Sequence, residues 1–257
     1  MSRPFKLGDR VHLVDSRSRH YLITLQVNGE FHTHAGFFKH DVLIDQPEGT
    51  VMKLDRGMSY TALHPTLEDF VLKMPRGAQV IYPKDIGPIL VLADIFPGAR
   101  VLESGVGSGA LSSGMLRAGA EIFGYELRED FANRAKINVQ AFLGDEVMER
   151  YHVELRDCYD GIDVRDVDRV VLDLPEPWQV VGPAEIALNR GGIFLAYTPS
   201  VMQVSQLREK LDAPGWILQR TLEVLNRTWH VAGQAVRPDH RMVAHTGFLT
   251  VARWIGR

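Results

Sequence analysis

The stretch Val101-Leu-Glu-Ser-Gly-Val-Gly-Ser-Gly-Ala-Leu111 constrains the fold more than any other in the chain. An apolar run gives way to three alternating glycines and then to a helix-forming segment. Glycines at Gly105, Gly107 and Gly109 let a backbone turn tightly and approach a ligand closely. The next helix opens with unpaired N–H groups. A strand that feeds a helix through such a turn needs a crossover to a parallel partner. From about Asp85 the chain keeps that rhythm. Strand patterns fall at Arg100–Glu103, Glu121–Glu126, Val153–Arg156, Arg169–Leu174 and Gly192–Thr198, and helical patterns at Glu129–Phe142 and Val201–Leu211. The alternation predicts an α/β fold, a doubly wound, mostly parallel sheet with helices on both faces.

The two ends differ in texture. Residues 1–63 hold short alternating runs such as Arg10–Val14, His20–Leu25 and Val51–Leu54, broken by Gly8-Asp9, Asn28-Gly29 and Pro47-Glu-Gly49. These predict a small N-terminal β domain, 1–63, ahead of a ligand-binding domain, 64–257. A helix is expected over Pro65–Met74, followed by a loop with Pro75 and Pro83. Trp216–Leu225 and His245–Trp254 read as strands that pair as a terminal antiparallel hairpin. Phe31-His-Thr-His34 contains an H-x-H pair, but no third and fourth ligand comes after it at metal-site spacing, so no metal is expected.

At 257 residues and 45% apolar, the chain can bury a sizeable core. Its single cysteine, Cys158, excludes an intrachain disulfide and suits a reducing compartment. Neither a signal-peptide core nor an apolar run long enough to cross a bilayer is present, so a cytoplasmic chain with no membrane partner is expected. The net charge of −3 means that any nucleic-acid site is a local basic patch.

The strand-end acids narrow the ligand. Glu126 ends the strand after the glycine helix, 17 residues beyond Gly109, where an acid accepts ribose hydroxyls. Gly105-Val-Gly-Ser-Gly-Ala110 satisfies a dinucleotide fingerprint, so a nicotinamide cofactor stays open. Glu103 favours S-adenosylmethionine instead. A carboxylate two residues before the first glycine repels a pyrophosphate and suits a cationic amino acid moiety. Asp157, after the third strand, is placed to accept an adenine amino group.

Asp173 sits in Leu172-Asp-Leu-Pro-Glu-Pro-Trp178. If Arg100–Glu103 is the first strand of the winding, Arg169–Leu174 is its neighbour across the switch point. Asp173 then faces the same crevice. Pro175 and Pro177 stiffen the turn, and Trp178 can cover or stack on a ligand. An acid held there can accept a hydrogen bond from an adenine amino group and stabilise charge growing on the ring as N1 takes a methyl. A target base on the pairing edge must be unstacked first.

With these residues in view, the chain resembles the bacterial and archaeal tRNA (adenine-58-N1)-methyltransferases. The likeness runs over Phe31-His-Thr-His34, Met74–Asp85 with its Gln-Val-Ile-Tyr-Pro-Lys-Asp, the glycine loop, Tyr125-Glu-Leu-Arg128, Leu172–Trp178, Ala235–His240 and His245–Leu249. The link through Ala118-Gly-Ala-Glu121 is shorter than the family pattern, which trims a surface turn. The resemblance implies a Rossmann-like class I S-adenosylmethionine-dependent methyltransferase that acts on tRNA as a homotetramer. It implies cofactor contacts from Ser108, Gly109, Ala110, Leu111, Glu126 and Asp157, with Phe131 lining the adenine pocket. It gives Asp173 the contact to the target adenine and a cofactor contact, and places Tyr82 near the target base. Lys73, Arg76, Lys84, Arg237, His240 and Arg241 would form a basic rim. His240 and His245 read as structural or tRNA-facing. Competing readings keep the cofactor with a protein-carboxyl or small-molecule acceptor, take the glycines for a nicotinamide enzyme, or make the chain a non-catalytic RNA-binding module.

Overall fold

The computed structural model describes residues 3–54, 57–77 and 79–256. The N-terminal strands are β1 (Arg10–Asp15), β2 (His20–Thr24), β3 (Glu30–Thr33), β4 (Gly36–Lys39), β5 (Val51–Lys53) and β6 (Ser59–Leu63). Four of them form an antiparallel sheet in the order β2-β1-β6-β5, and β3 pairs with β4 in a hairpin. Alternation sends Val11, Leu13, Tyr60 and Ala62 inward, where with Phe5, Leu25 and Leu43 they build a separate apolar cluster.

Helix α1 (Leu67–Lys73) is shorter than the expected Pro65–Met74 because Thr66 caps it, trading hydrogen bonds with Asp69. Helix α2 (Pro83–Leu92) replaces part of an expected loop. Pro83 stands at its first position, where a missing N–H costs nothing. The winding proper then runs β7 (Arg100–Ser104), α3 (Ala110–Arg117), β8 (Glu121–Glu126), α4 (Glu129–Leu143), β9 (Tyr151–Leu155), β10 (Val167–Leu172), α5 (Val181–Ala187), β11 (Leu188–Thr198), α6 (Val201–Leu211) and β12 (Trp216–Glu223). Hairpin strands β13 (Trp229–Ala232) and β14 (Ala235–Pro238) come next, and β15 (Phe248–Trp254) closes the chain.

The main sheet has seven strands in the order β12-β15-β11-β10-β7-β8-β9. Strands β9, β8, β7, β10 and β11 pair in parallel, and β15 inserts antiparallel between β11 and β12. The winding leaves β7 in one direction through β8 and β9 and returns on its other side at β10. The gap between the carboxyl ends of β7 and β10 is therefore the switch point. The paired ends β12 and β15 match expectation, but they are joined through the exposed β13–β14 hairpin, which period-2 runs this short and uncovered did not signal.

Helices α1 to α4 cover one sheet face over Val101, Ile122 and Leu195. Helices α5 and α6 cover the other over Leu102, Val170, Phe194 and Ala252. No helix among the described residues is long and apolar enough to cross a membrane. Leu102 is fully buried at the centre of the second layer. Leu102→Ala is expected to cost about 2–5 kcal/mol of stability, read as a lower urea midpoint with an unchanged slope.

Candidate functional site

The switch point is shaped by one close crossing. Gly105 leaves β7 at φ +82°, and a Cβ there would lie 2.1 Å from the Asp173 carbonyl oxygen. Only glycine fits such an approach. The Asp173 N–H donates to the Ser104 carbonyl at 2.9 Å, which extends the β10–β7 ladder by one residue past the strand. Beyond it the turn places Pro175 on the cavity wall, and the Tyr159 hydroxyl accepts the Glu176 N–H at 2.9 Å.

The glycine loop is tied to β8. The Gly107 N–H donates to one oxygen of Glu126 at 2.9 Å, and the Arg128 N–H donates to the other at 3.0 Å. Gly109 caps α3 at φ +81°, and a Cβ there would press on Ala135 and Val139 of α4. The Asp157 carboxylate accepts the Tyr159 N–H at the end of β9.

Gly105, Gly107, Glu126, Phe131, Asp157 and Asp173 share one cavity of about 480 Å³. Glu103, Ser108, Gly109, Ala110 and Leu111 lie outside its lining. All of these are buried. Tyr82 caps α2 and opens on a neighbouring cavity of about 230 Å³ with Lys84, Arg241 and Met242. Burial pushes the Tyr197 phenol up to about 12. The hydrogen bond that Tyr197 donates to the Thr246 carbonyl opposes the rise.

Two expectations change and a third is narrowed. Trp178 packs into the apolar layer under α5 and is not part of the cavity lining, because the turn at Pro177 aims it at the core. Lys84 is not a free rim cation: its buried ammonium donates to Asp85 and to the Val224 carbonyl. His245 is bonded on both ring nitrogens, to Glu223 and the Pro199 carbonyl, which raises its pKa and makes it structural. Lys73, Arg76, Arg237, His240 and Arg241 are exposed.

The strand-end rule also missed residues that line the cavity: Gln79, Tyr125, Arg128, Arg156 and Tyr159. Arg128 stacks over Phe131 at 3.9 Å and pairs with Asp130, and Arg156 pairs with Asp163. Their positions beside Glu126 and Asp157 were the available signal. In the H-x-H pair, His32 lies 2.8 Å from Glu30. Among the described residues His12, His20 and Asp69 do cluster. One ligand atom of each lies within 4.8 Å of the others, and in the structure they contact one another: His12 Nε2 lies 2.8 Å from His20 and Nδ1 3.3 Å from Asp69.

The electrostatics are dominated by crowded carboxyl groups. Burial pushes Asp173 up to about 7, with Glu126 adding to the rise. Burial pushes Glu103 up to about 8; Asp173 and Glu126 add to it and the Ser112 hydrogen bond opposes it. Such a site repels phosphate and favours a cation.

The family model described as "tRNA methyltransferase complex GCD14 subunit" matches residues 58–237, and one described as "TrmI-like N-terminal" matches 4–52. The chain is 37% identical to a tRNA (adenine(58)-N(1))-methyltransferase TrmI of Thermus thermophilus, over 94% of this chain and 95% of the relative. It is 34% identical to a Methanocaldococcus jannaschii TrmI named for adenines 57 and 58, over 94% and 93%. A solved SAM-dependent O-methyltransferase from Thermotoga maritima superposes with a TM-score of 0.92 at 33% identity, covering 99% and 96%. The Aquifex aeolicus tRNA (m1A58) methyltransferase TrmI gives 0.85 at 26%, covering 99% and 100%.

The chain belongs to the tRNA (adenine-58-N1)-methyltransferase family.

Its cofactor is S-adenosyl-L-methionine, and the chemistry of the cavity fits that group: the Glu126 and Asp173 carboxyl groups in its lining suit a cation, and Phe131 and Asp157 offer an adenine a ring face and an acceptor. Gly105→Ala is expected to push the Asp173 turn aside and weaken cofactor binding by about a hundredfold, measured by calorimetry, with folding checked by circular dichroism.

Proposed function

We infer that the protein methylates N1 of adenosine 58 in tRNA with S-adenosyl-L-methionine. The observation that carries this reading is Asp173, a half-buried acid held at the switch point beside Gly105 and in the same cavity as Glu126.

When bound, the cofactor supplies an electrophilic methyl group on a sulfonium. The chain's residues supply the rest. Glu126, already fixed by two backbone N–H groups, accepts from the ribose hydroxyls, and Asp157 and Phe131 hold the adenine end. The glycine loop, with Ser108, Gly109, Ala110 and Leu111, cradles the amino acid end, and Glu103 faces its positive charge from behind. Asp173 accepts a hydrogen bond from the amino group of the target adenine. It thereby orients N1 and stabilises the positive charge that spreads over the ring as N1 is methylated. N1 carries no proton, so no general base is required. Tyr82 holds the unstacked base at the adjoining cavity.

We also propose the division into domains 1–63 and 64–257, supported by the separate apolar cluster between Phe5 and Ala62. We propose a homotetramer in the cytoplasm. Exposed Ile217 and Leu218 on β12 and Trp229, Val231 and Val236 on the β13–β14 hairpin are apolar surface of the kind that assembly covers.

The deciding experiment incubates the protein with unmodified tRNA and labelled cofactor, then identifies the product nucleoside by mass spectrometry. N1-methyladenosine is expected, and methyl absent from tRNA would sink the reading. Asp173→Ala should retain cofactor affinity and lose about a hundred- to a thousandfold in the methyl-transfer rate. Because the ionised carboxylate is the useful form, the single-turnover rate should rise with pH through about 7, the region where Asp173 ionises. Asp173→Asn should flatten that rise.

A further inference from the structure

Behind the cofactor cavity runs a string of three buried polar side chains from three elements. Glu103 on β7 is 1% exposed, Ser112 in the first turn of α3 is 0% exposed, and Tyr151 at the start of β9 is 4% exposed. The Tyr151 hydroxyl donates to Ser112 Oγ at 3.0 Å, and the Ser112 hydroxyl donates to Glu103 Oε2 at 2.6 Å. Ser112 is fully buried on α3, the helix that also gives Leu111, Met115 and Leu116 to the apolar layer. A hydroxyl buried among such residues is costly unless it is paired. Packing alone would be served as well by alanine and phenylalanine at these two positions.

The direction of the string is fixed by its end. Ser112 gives its one proton to Glu103, so its oxygen is left to accept from Tyr151. Both protons therefore point towards the carboxyl group, and each bond polarises the next. The charged groups that act on Glu103 are Asp173 at the end of β10 and Glu126 on β8, both carboxylates. Tyr151 faces it from β9, and Ser112 faces it from α3. Burial and Glu103 together raise the Tyr151 phenol far above its usual range, so it remains a donor.

We propose that Tyr151 and Ser112 form a buried hydroxyl relay that positions the Glu103 carboxyl group and governs its charge as the cationic cofactor binds. This rests on the cofactor assignment above. In the free protein, burial and two acidic neighbours keep Glu103 protonated at neutral pH. A cation entering the neighbouring cavity favours the carboxylate, and one proton leaves to solvent. Ser112 supplies the new carboxylate with a hydroxyl donor in a place water does not reach, and Tyr151 polarises that donor from behind. After methyl transfer the sulfonium charge is gone and the carboxyl group can take a proton back, which favours exchange of neutral product for cationic cofactor. Ser112 and Tyr151 are thus positioning residues that act through Glu103.

The test needs no catalysis. Glutamate labelled with carbon-13 at the carboxyl group is titrated by NMR in the cofactor-free protein, with Glu103→Gln assigning the resonance. Removing a donor disfavours the carboxylate. Tyr151→Phe and Ser112→Ala should therefore move the Glu103 midpoint upward by about half a unit to one unit, and Ser112→Thr should restore it. S-adenosylmethionine affinity, measured by calorimetry across pH, should fall about three- to tenfold at neutral pH in both variants and converge with wild type in alkali. An unmoved midpoint, or an affinity loss equal at every pH, would overturn the relay and leave a packing role. A wild-type chain that binds no S-adenosylmethionine at any pH overturns the cofactor assignment itself, whatever the titration shows.

Discussion

The site depends on a single crossing of backbones, where Gly105 passes the Asp173 carbonyl. Sheet pairing brings β7 and β10 side by side, but pairing alone leaves their ends apart by a side chain. With no Cβ at Gly105 the glycine turn closes over the end of β10. The acid just past β10 and the loop just past β7 then share one cavity. Every other feature is arranged around that closure. Glu126 holds the loop from β8 through the Gly107 N–H. Gly109 lets α3 settle on α4, and Pro175 and Pro177 restrict the backbone of the turn beyond Asp173.

Gathering Glu103, Glu126 and Asp173 in one place works against the folded state. Glu103 and Asp173 hold their protons to about 8 and about 7 when folded, whereas free carboxyl groups release them near pH 4. Between those limits the folded chain binds more protons than the unfolded one. The contribution of these two groups to stability therefore falls as pH rises. A bound cation reverses the balance by giving the charged forms a partner. The protein is built less stable at its centre than packing would allow, and the deficit is in the form that ligand binding recovers.

Much of this was legible in the sequence because it rests on periodicity and on residues that only one conformation tolerates. The glycine loop, the strand-end acids and the Leu172–Trp178 turn are local signals, and they placed Asp173 in the same crevice as the glycine loop. The features that escaped depend on three-dimensional company. Lys84 looks like a surface cation until the neighbouring Asp85 and the distant Val224 carbonyl close over it. Trp178 looks like a lid until the direction of the chain after Pro177 sends it into the core. Ser112 and Tyr151 carry no motif at all. Their role rests on hydrogen bonds across 39 and 9 residues of sequence that no spacing rule anticipates.

The same charge distribution bears on how an RNA could engage the chain. In the cavity Arg128 is paired with Asp130 and Arg156 with Asp163, so the charge left facing a ligand is that of Glu126, Asp157 and Asp173, which disfavours phosphate and admits a neutral base. The exposed cations Lys73, Arg76, Arg237 and Arg241 lie elsewhere, at the end of α1 and on the segment between β12 and β15. Arg241 also edges the cavity that holds Tyr82. Backbone and base are thus drawn to different parts of the surface, and a nucleotide must leave its stack for both attractions to be met together.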